Sequence, residues 1–114
     1  MFDIAIKKTI TQENIDDILA TALEGGINYW AVSARPKDKD YKGADYGHEV
    51  VSRGGILIIA TEEGEKHELN LENLTKGFQL FADSNSNIDF MEDYDAVTAD
   101  CIVQLALFGE IVYG

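Results

Sequence analysis

The sequence predicts an α+β protein in which helices pack on a mainly antiparallel sheet. Apolar residues recur at helical spacing in three stretches and alternate at strand spacing elsewhere. The two strands predicted on either side of the glutamate-rich turn at 62–65 are close enough to form an antiparallel hairpin. A local pattern of helix, glycine and strand also occurs three times, and glycine after a helix reverses the chain at low cost.

Length and composition indicate one domain, 1–114. The chain has 114 residues, of which 46% are hydrophobic, enough for a core. No apolar run approaches the length of a membrane span. The single cysteine, Cys101, cannot form an internal disulfide, which favours a reducing compartment. We therefore expect a cytoplasmic protein that does not engage membranes.

The first half of the chain begins with alternating residues and continues through a capped helix. Thr11 suits the N-cap of a helix whose apolar side chains form one stripe, and Gly25–Gly26 stops it. The predicted elements are a strand at 2–8, a helix at 12–24, a strand at 27–34, a polar loop at 35–45 and a short helix at 45–53.

The second half contains the most apolar strand, which is expected at the centre of the sheet. Asn70 is a candidate helix cap in this half. The predicted elements are strands at 56–61 and 66–69, a helix at 71–82, an acidic loop at 83–93, a helix at 95–108 and a strand at 111–113.

The first and last copies of the helix–glycine–strand pattern match in six side chains. These are Ile18, Ala22, Leu23, Gly25, Ile27 and Tyr29, which recur 84 positions later as Ile102, Ala106, Leu107, Gly109, Ile111 and Tyr113. The match predicts that the two units superpose. It also predicts a positive φ at three stops, which are Gly25 or Gly26, Gly54 or Gly55, and Gly109.

The charge of the chain is strongly acidic and unevenly distributed. The net charge of −12 disfavours direct contact with nucleic acids and acidic membranes. One loop is basic, with Arg35, Lys37, Lys39 and Lys42, whereas the chain after Lys76 has no Lys or Arg. Seven acids follow, which are Asp83, Asp89, Glu92, Asp93, Asp95, Asp100 and Glu110. This pattern suits a solubilising surface, or one that imitates DNA or engages a basic partner.

Motifs for metals and for catalysis are weak. Residues 83–89 imitate the opening of a calcium loop, but Ile88 and Tyr94 stand where glycine and glutamate are needed. The two histidines are distant from each other in sequence and the cysteine stands alone, so no zinc set is visible. No nucleotide-binding glycine motif is present. We expect no catalytic residue, metal or cofactor.

The alternative to a catalytic or metal site is a cluster of residues that binds a ligand. Trp30 and Tyr46 are predicted to stack on a planar group, while Arg53 and His48 hold an anionic one, with Arg35 nearby in the basic loop. Such a set suits a nucleotide-derived ligand. The other interpretation is that Trp30 belongs to the core and Arg53 pairs with a carboxylate.

Three segments resemble a known family. They are Ala22–Trp30, Ser52–Gly55 and Ala106–Gly114, and they resemble small acidic proteins carried by phages, prophages and integrative elements of Gram-positive Firmicutes. The resemblance spans nearly the whole chain and supplies no catalytic residues. It implies an accessory gene of a mobile element, and such genes often antagonise host defences in the cytoplasm of the bacterial host.

The expected function is therefore a non-enzymatic anti-defence activity. The first hypothesis is a homo-oligomer that binds and sequesters a nucleotide-derived immune signalling molecule. The alternative is an acidic DNA mimic that inhibits a basic host defence protein, such as a CRISPR nuclease. A plain structural or regulatory module of the element is a third hypothesis. At least a dimer is predicted, because strands at both chain ends leave edges that symmetric pairing would cover.

Overall fold

The α+β class is confirmed in the computed structural model, which describes residues 10–84 and 95–114. The helices are α1 (Gln12–Thr21), α2 (Leu71–Ser84) and α3 (Ala96–Phe108), and the strands are β1 (Ala31–Pro36), β2 (Leu57–Thr61) and β3 (Lys66–Leu69). A π-helical turn, Ala22–Gly26, extends α1, and 3₁₀ turns occur at Lys37–Lys39, Gly47–Glu49 and Val51–Arg53. The predicted strand at 2–8 and most of the loop at 83–93 lie outside the described residues.

The sheet is antiparallel throughout the described residues, in the order β1-β2-β3. The prediction that the most apolar strand is central is confirmed. Side chains along β2 alternate between buried and half-buried, and the buried ones are Leu57, Ile59 and Thr61. The hairpin between β2 and β3 also forms as predicted, and Gly64 adopts a φ of 87° in its turn.

Side-chain caps define where the helices begin. Thr11 and Asn14 form a capping box at the start of α1. Asn70 and Asn73 exchange side-chain hydrogen bonds with each other's backbone N–H at the start of α2, with both distances 2.9 Å. Asp95 accepts a backbone N–H in the first turn of α3. Local sequence therefore determines all three N-termini.

The buried hydrophobic side chains of the described residues form one cluster drawn from the three helices and the sheet. Glycines set the closest contacts of α3. A Cβ on Gly77 of α2 would lie 2.6 Å from the carbonyl oxygen of Ile102, and a Cβ on Gly26 would lie 2.8 Å from that of Ala96. Because only hydrogen fits at these points, α3 packs closely against both α2 and the end of α1.

The strand predicted at 27–34 begins later than expected. Residues 27–30 form a turn in which the Trp30 N–H donates to the Ile27 carbonyl at 3.0 Å. The strand starts at Ala31 and runs through Arg35 to Pro36, into the region predicted as loop. The physical reason is the π-helical turn, which carries the helix to Gly26 and leaves the chain to reverse before the sheet.

The second correction concerns the end of the chain. Residues 111–113 form no strand, so the helix–glycine–strand repeat is not preserved in the backbone. The predicted positive φ occurs at Gly54 (88°) and Gly109 (75°). It occurs at neither Gly25 nor Gly26, because the π-helical turn continues through them.

Candidate functional site

Tyr46 and His48 lie together on the surface. Tyr46 is 64% exposed and begins the 3₁₀ turn Gly47–Glu49. Its ring stacks on the imidazole of His48 with the ring centres 5.6 Å apart and the planes 10° from parallel. The predicted grouping of these two side chains therefore exists as an exposed aromatic pair.

Arg53 and Arg35 are exposed, and neither forms an ion pair with any residue in the described part of the chain. Arg53 ends the 3₁₀ turn Val51–Arg53, and its Nη1 lies 3.6 Å from the point that a Cβ on Gly43 would occupy. Arg35 lies on β1. The predicted pairing of Arg53 with a carboxylate is thus absent among these residues.

Trp30 lies in the core, at 3% exposure. Its Nε1 donates to Asp100 at 2.8 Å, and its ring stacks on Tyr113 with the centres 5.1 Å apart and the planes 1° from parallel. No ring contact joins it to Tyr46. The structure therefore does not bring the two predicted stacking residues together, and Tyr113 covers one face of the Trp30 ring.

A groove of about 610 Å³ opens between the first turns of α1 and the 3₁₀ turn that carries His48. We call it the acidic groove, and its lining residues are Thr11, Gln12, Glu13, Asp16, Asp17, His48 and Glu49. Within the described residues, the lining holds four carboxylates and no Lys or Arg. It therefore repels phosphate and attracts cationic groups.

The carboxylates of the acidic groove differ in their partners. Ser52 donates its hydroxyl to Asp16 Oδ1 at 2.6 Å, which fixes that side chain. Glu13, Asp17 and Glu49 form no ion pair with any residue within 10–84 or 95–114. Among the described residues, these three negative charges of the groove therefore have no cationic partner.

A second polar cluster lies on α3 and was missed by sequence reasoning, which counted Asp100 among the surface acids. Asp100 is 7% exposed, and its carboxylate accepts from Trp30, from Tyr29 Oη and from Gln104 Nε2. Gln104 is fully buried. Three donors satisfy the buried carboxylate, with no cation among them.

The spacing of two of these residues in the sequence indicates that their side chains lie close together. Asp100 and Gln104 are four residues apart, so they share one face of the predicted helix at 95–108. The cluster also perturbs a neighbour. Burial and the hydrogen bond to Asp100 raise the pKa of Tyr29 from 10.0 to about 12.

Two further findings limit the chemistry of the described residues. No group of three or more His, Cys, Asp or Glu side chains within them has an arrangement that could hold a metal ion, even in the acidic groove. Among their helices, none is both long enough and apolar enough to cross a membrane.

Comparison with known proteins finds no matching family model, curated protein or solved structure. The resemblance to proteins of mobile elements therefore stays a prediction.

Proposed function

We propose that the protein is a non-enzymatic anti-defence protein that binds a basic partner through the acidic groove. The observation that carries this proposal is the composition of the groove, whose described lining residues include four carboxylates and no Lys or Arg. The partner class is a nucleic-acid-directed effector of the bacterial host, such as a CRISPR nuclease, met in the host cytoplasm. The groove carboxylates would take the place of nucleic-acid phosphates on the basic surface of that effector.

The electrostatics of the whole chain support this assignment. A net charge of −12 attracts a basic protein over distances on the order of the Debye length, about 10 Å at moderate salt. The groove then supplies a local site, because Glu13, Asp17 and Glu49 have no ion-pair partner within the described residues. Binding should therefore weaken as salt rises.

Sequestration of a nucleotide-derived signal is the second candidate function, and the Tyr46–His48 pair favours it. The exposed ring of Tyr46 offers a stacking surface, and the exposed guanidinium of Arg53 could hold a phosphate. Against it, Trp30 is buried, and His48 borders the acidic groove. The predicted homo-oligomer stays a proposal in either case.

The decisive experiment compares two triple variants with the same change in net charge. Glu13→Gln, Asp17→Asn and Glu49→Gln neutralise the acidic groove, while Glu24→Gln, Asp38→Asn and Glu110→Gln neutralise exposed acids outside its lining. An oligoarginine peptide measured by calorimetry serves as the basic probe, and inhibition of host effectors is the functional readout. Because exposed pairs each contribute up to about 1 kcal/mol, the groove variant should bind about tenfold more weakly or worse.

Equal losses in the two triple variants would reject the groove as the site. The sequestration candidate is tested in parallel by calorimetry with cyclic nucleotides and ADP-ribose cyclisation products. There, Arg53→Ala should abolish binding and Arg53→Lys should restore only part of it, because lysine keeps the charge and loses the fork of donors. Nucleotide binding that depends on Arg53, with the groove variant fully active, would favour the second candidate.

A further inference from the structure

The segment that follows α3, residues 110–114, forms neither helix nor strand. We call it the strap. It is held by Gln104, whose Oε1 accepts the backbone N–H groups of Val112 and Tyr113, both at 2.8 Å. The Nε2 of the same side chain donates to the Tyr113 carbonyl at 3.2 Å. One fully buried amide thus binds the backbone of the strap as it would bind a peptide ligand.

The aromatic anchor of the strap is Tyr113. Its ring covers the face of Trp30, and both rings meet Phe108 at an angle of 60°. In contrast, Ile111 and Val112 are 49% and 52% exposed. The strap is therefore bound through one ring and a few backbone groups, which is how short peptides are held in grooves.

We call the surface beneath the strap, formed by Trp30, Asp100, Gln104 and Phe108, the strap groove. Trp30 and Gln104 are each held by a contact that does not involve the strap. Asp100 Oδ1 accepts from Trp30 Nε1 at 2.8 Å and from Gln104 Nε2 at 2.9 Å. The carboxylate would therefore keep both side chains oriented after the strap leaves. A site that is already formed loses little entropy when a ligand binds.

The strap also has a point about which it can turn. Gly109 adopts a left-handed conformation, and its N–H closes α3 on the Leu105 carbonyl at 3.0 Å. Nothing lies within 4 Å of the point where its Cβ would be. The helix therefore ends by its own hydrogen bond, and the strap can move without unwinding it.

The glutamates near the anchor favour a ligand that carries a cationic group. Burial and the carboxylates of Glu63, Glu65 and Glu62 raise the pKa of the Tyr113 phenol. These acids belong to the turn between β2 and β3, and the neutral phenol makes no ion pair with them. A cationic group in the same place would gain electrostatic attraction.

We propose that the strap groove is a peptide-binding site, occupied in cis by the strap, and that it takes a partner segment in which an aromatic ring lies beside a Lys or Arg side chain. The site is separate from the acidic groove, so this inference does not depend on the proposed function.

The test uses the full chain with Tyr113→Ala, which removes the anchor and leaves the strap groove in place. The probes are a labelled acetyl-Glu-Ile-Val-Tyr-Gly peptide (the tyrosine probe) and the same peptide with Lys in place of Val (the cationic probe), both followed by fluorescence anisotropy. A tethered strap competes at an effective concentration on the order of mM. The Tyr113→Ala chain should therefore bind the peptides at least about tenfold more tightly than the unaltered chain. The cationic probe should bind more tightly than the tyrosine probe at low salt, and high salt should remove the difference.

The matched control is Gln104→Met in the Tyr113→Ala chain, which keeps the side-chain volume and removes the amide that binds the backbone. Peptide binding should be lost while the circular dichroism of the folded chain is retained. Equal affinity of the unaltered and Tyr113→Ala chains, or binding that survives Gln104→Met, would overturn the proposal. A dimer of the unaltered chain that Gln104→Met abolishes would overturn the choice of partner in favour of a second copy.

Hydrogen exchange on the unaltered chain tests the same inference without any variant. If the strap opens by itself, the amides of Val112 and Tyr113 should exchange at least about a hundredfold faster than those of Ile102 and Val103 in α3. Equal protection of strap and helix would mean that the strap opens only when the whole protein unfolds, and the proposal would fail.

Discussion

The segments around the ends of α1 and α3 match in six side chains, but their backbones adopt different structures. After α1, a π-helical turn leads to Ile27, which is 1% exposed and belongs to the core. After α3, the left-handed Gly109 leads to Ile111, which is 49% exposed and lies on the strap. Six matching side chains therefore do not specify the same backbone.

The difference arises at a position outside the match. Gly26 follows Gly25 in the first copy and packs against the carbonyl oxygen of Ala96, where a Cβ would lie 2.8 Å away. The corresponding residue in the second copy is Glu110, which is exposed. A glycine at this position lets the end of α1 pack on the start of α3, whereas a glutamate turns the chain towards solvent.

The largest expected effect comes from the paired isoleucines. Ile27→Ala should lower the free energy of unfolding by about 3 kcal/mol, because it removes a fully buried side chain and leaves a cavity. Ile111→Ala should change it by less than about 1 kcal/mol, because that side chain is half exposed. Urea denaturation of the two variants measures the difference, and similar losses would show that the strap is as well packed as the core.

Glycine substitutions give the next effect in size. Gly26→Ala should cost about 2 kcal/mol, because its Cβ would overlap the Ala96 carbonyl. Gly109→Ala should cost about 1 kcal/mol, because no atom is near and only the φ of 75° opposes it. Gly25→Ala meets neither a close atom nor a positive φ, and it should stabilise the protein by about 0.5 kcal/mol. Thermal melts rank the three variants, and a destabilised Gly25→Ala variant would contradict this account.

The sequence predicts the parts of the fold that depend on local rules. The caps at Thr11 and Asn70, the central position of β2 and the left-handed Gly109 all follow from the residues within one turn or one strand. The end of α1 does not follow from local residues, because it depends on the close approach of Gly26 to Ala96, which is far away in the chain.

In the candidate site, too, the sequence does not predict contacts between residues that are far apart in the chain. Tyr46 and His48, two predicted site residues close in sequence, are in contact, whereas Trp30 forms its hydrogen bond with Asp100, 70 residues away. Composition placed Asp100 among the surface acids, whereas in the structure it lies on the buried part of α3 with Ala99 and Val103. A carboxylate on a buried helix face therefore predicts a partner, but the partner itself becomes visible only in the fold.

The smallest expected effect is on the titration of Tyr29 and Tyr113, the two tyrosines that match in the repeat. Tyr29 has a pKa raised to about 12, by burial first and then by its hydrogen bond to Asp100, whereas burial and Glu63 raise the pKa of Tyr113. Because the folded state of Tyr29 holds its proton longer than the unfolded chain does, the resulting stabilisation is complete below pH 10. It is lost as the pH rises from about 10 to about 12. Tyr29 is 53% exposed, so solvent screens this contribution and keeps it small.

The measurement is the near-ultraviolet absorbance of the phenolates as the pH is raised. Tyr29→Phe should remove the last step of the titration and reduce the loss of stability above pH 10. Asp100→Asn should move that step to lower pH, because the neutral amide no longer favours the protonated phenol, and should leave the Tyr113 step in place. Tyr113→Phe should leave the Tyr29 step near pH 12 in place. If Asp100→Asn moves neither step, the carboxylate does not set the difference between the two tyrosines, and the contrast between the two ends of the repeat lies in packing alone.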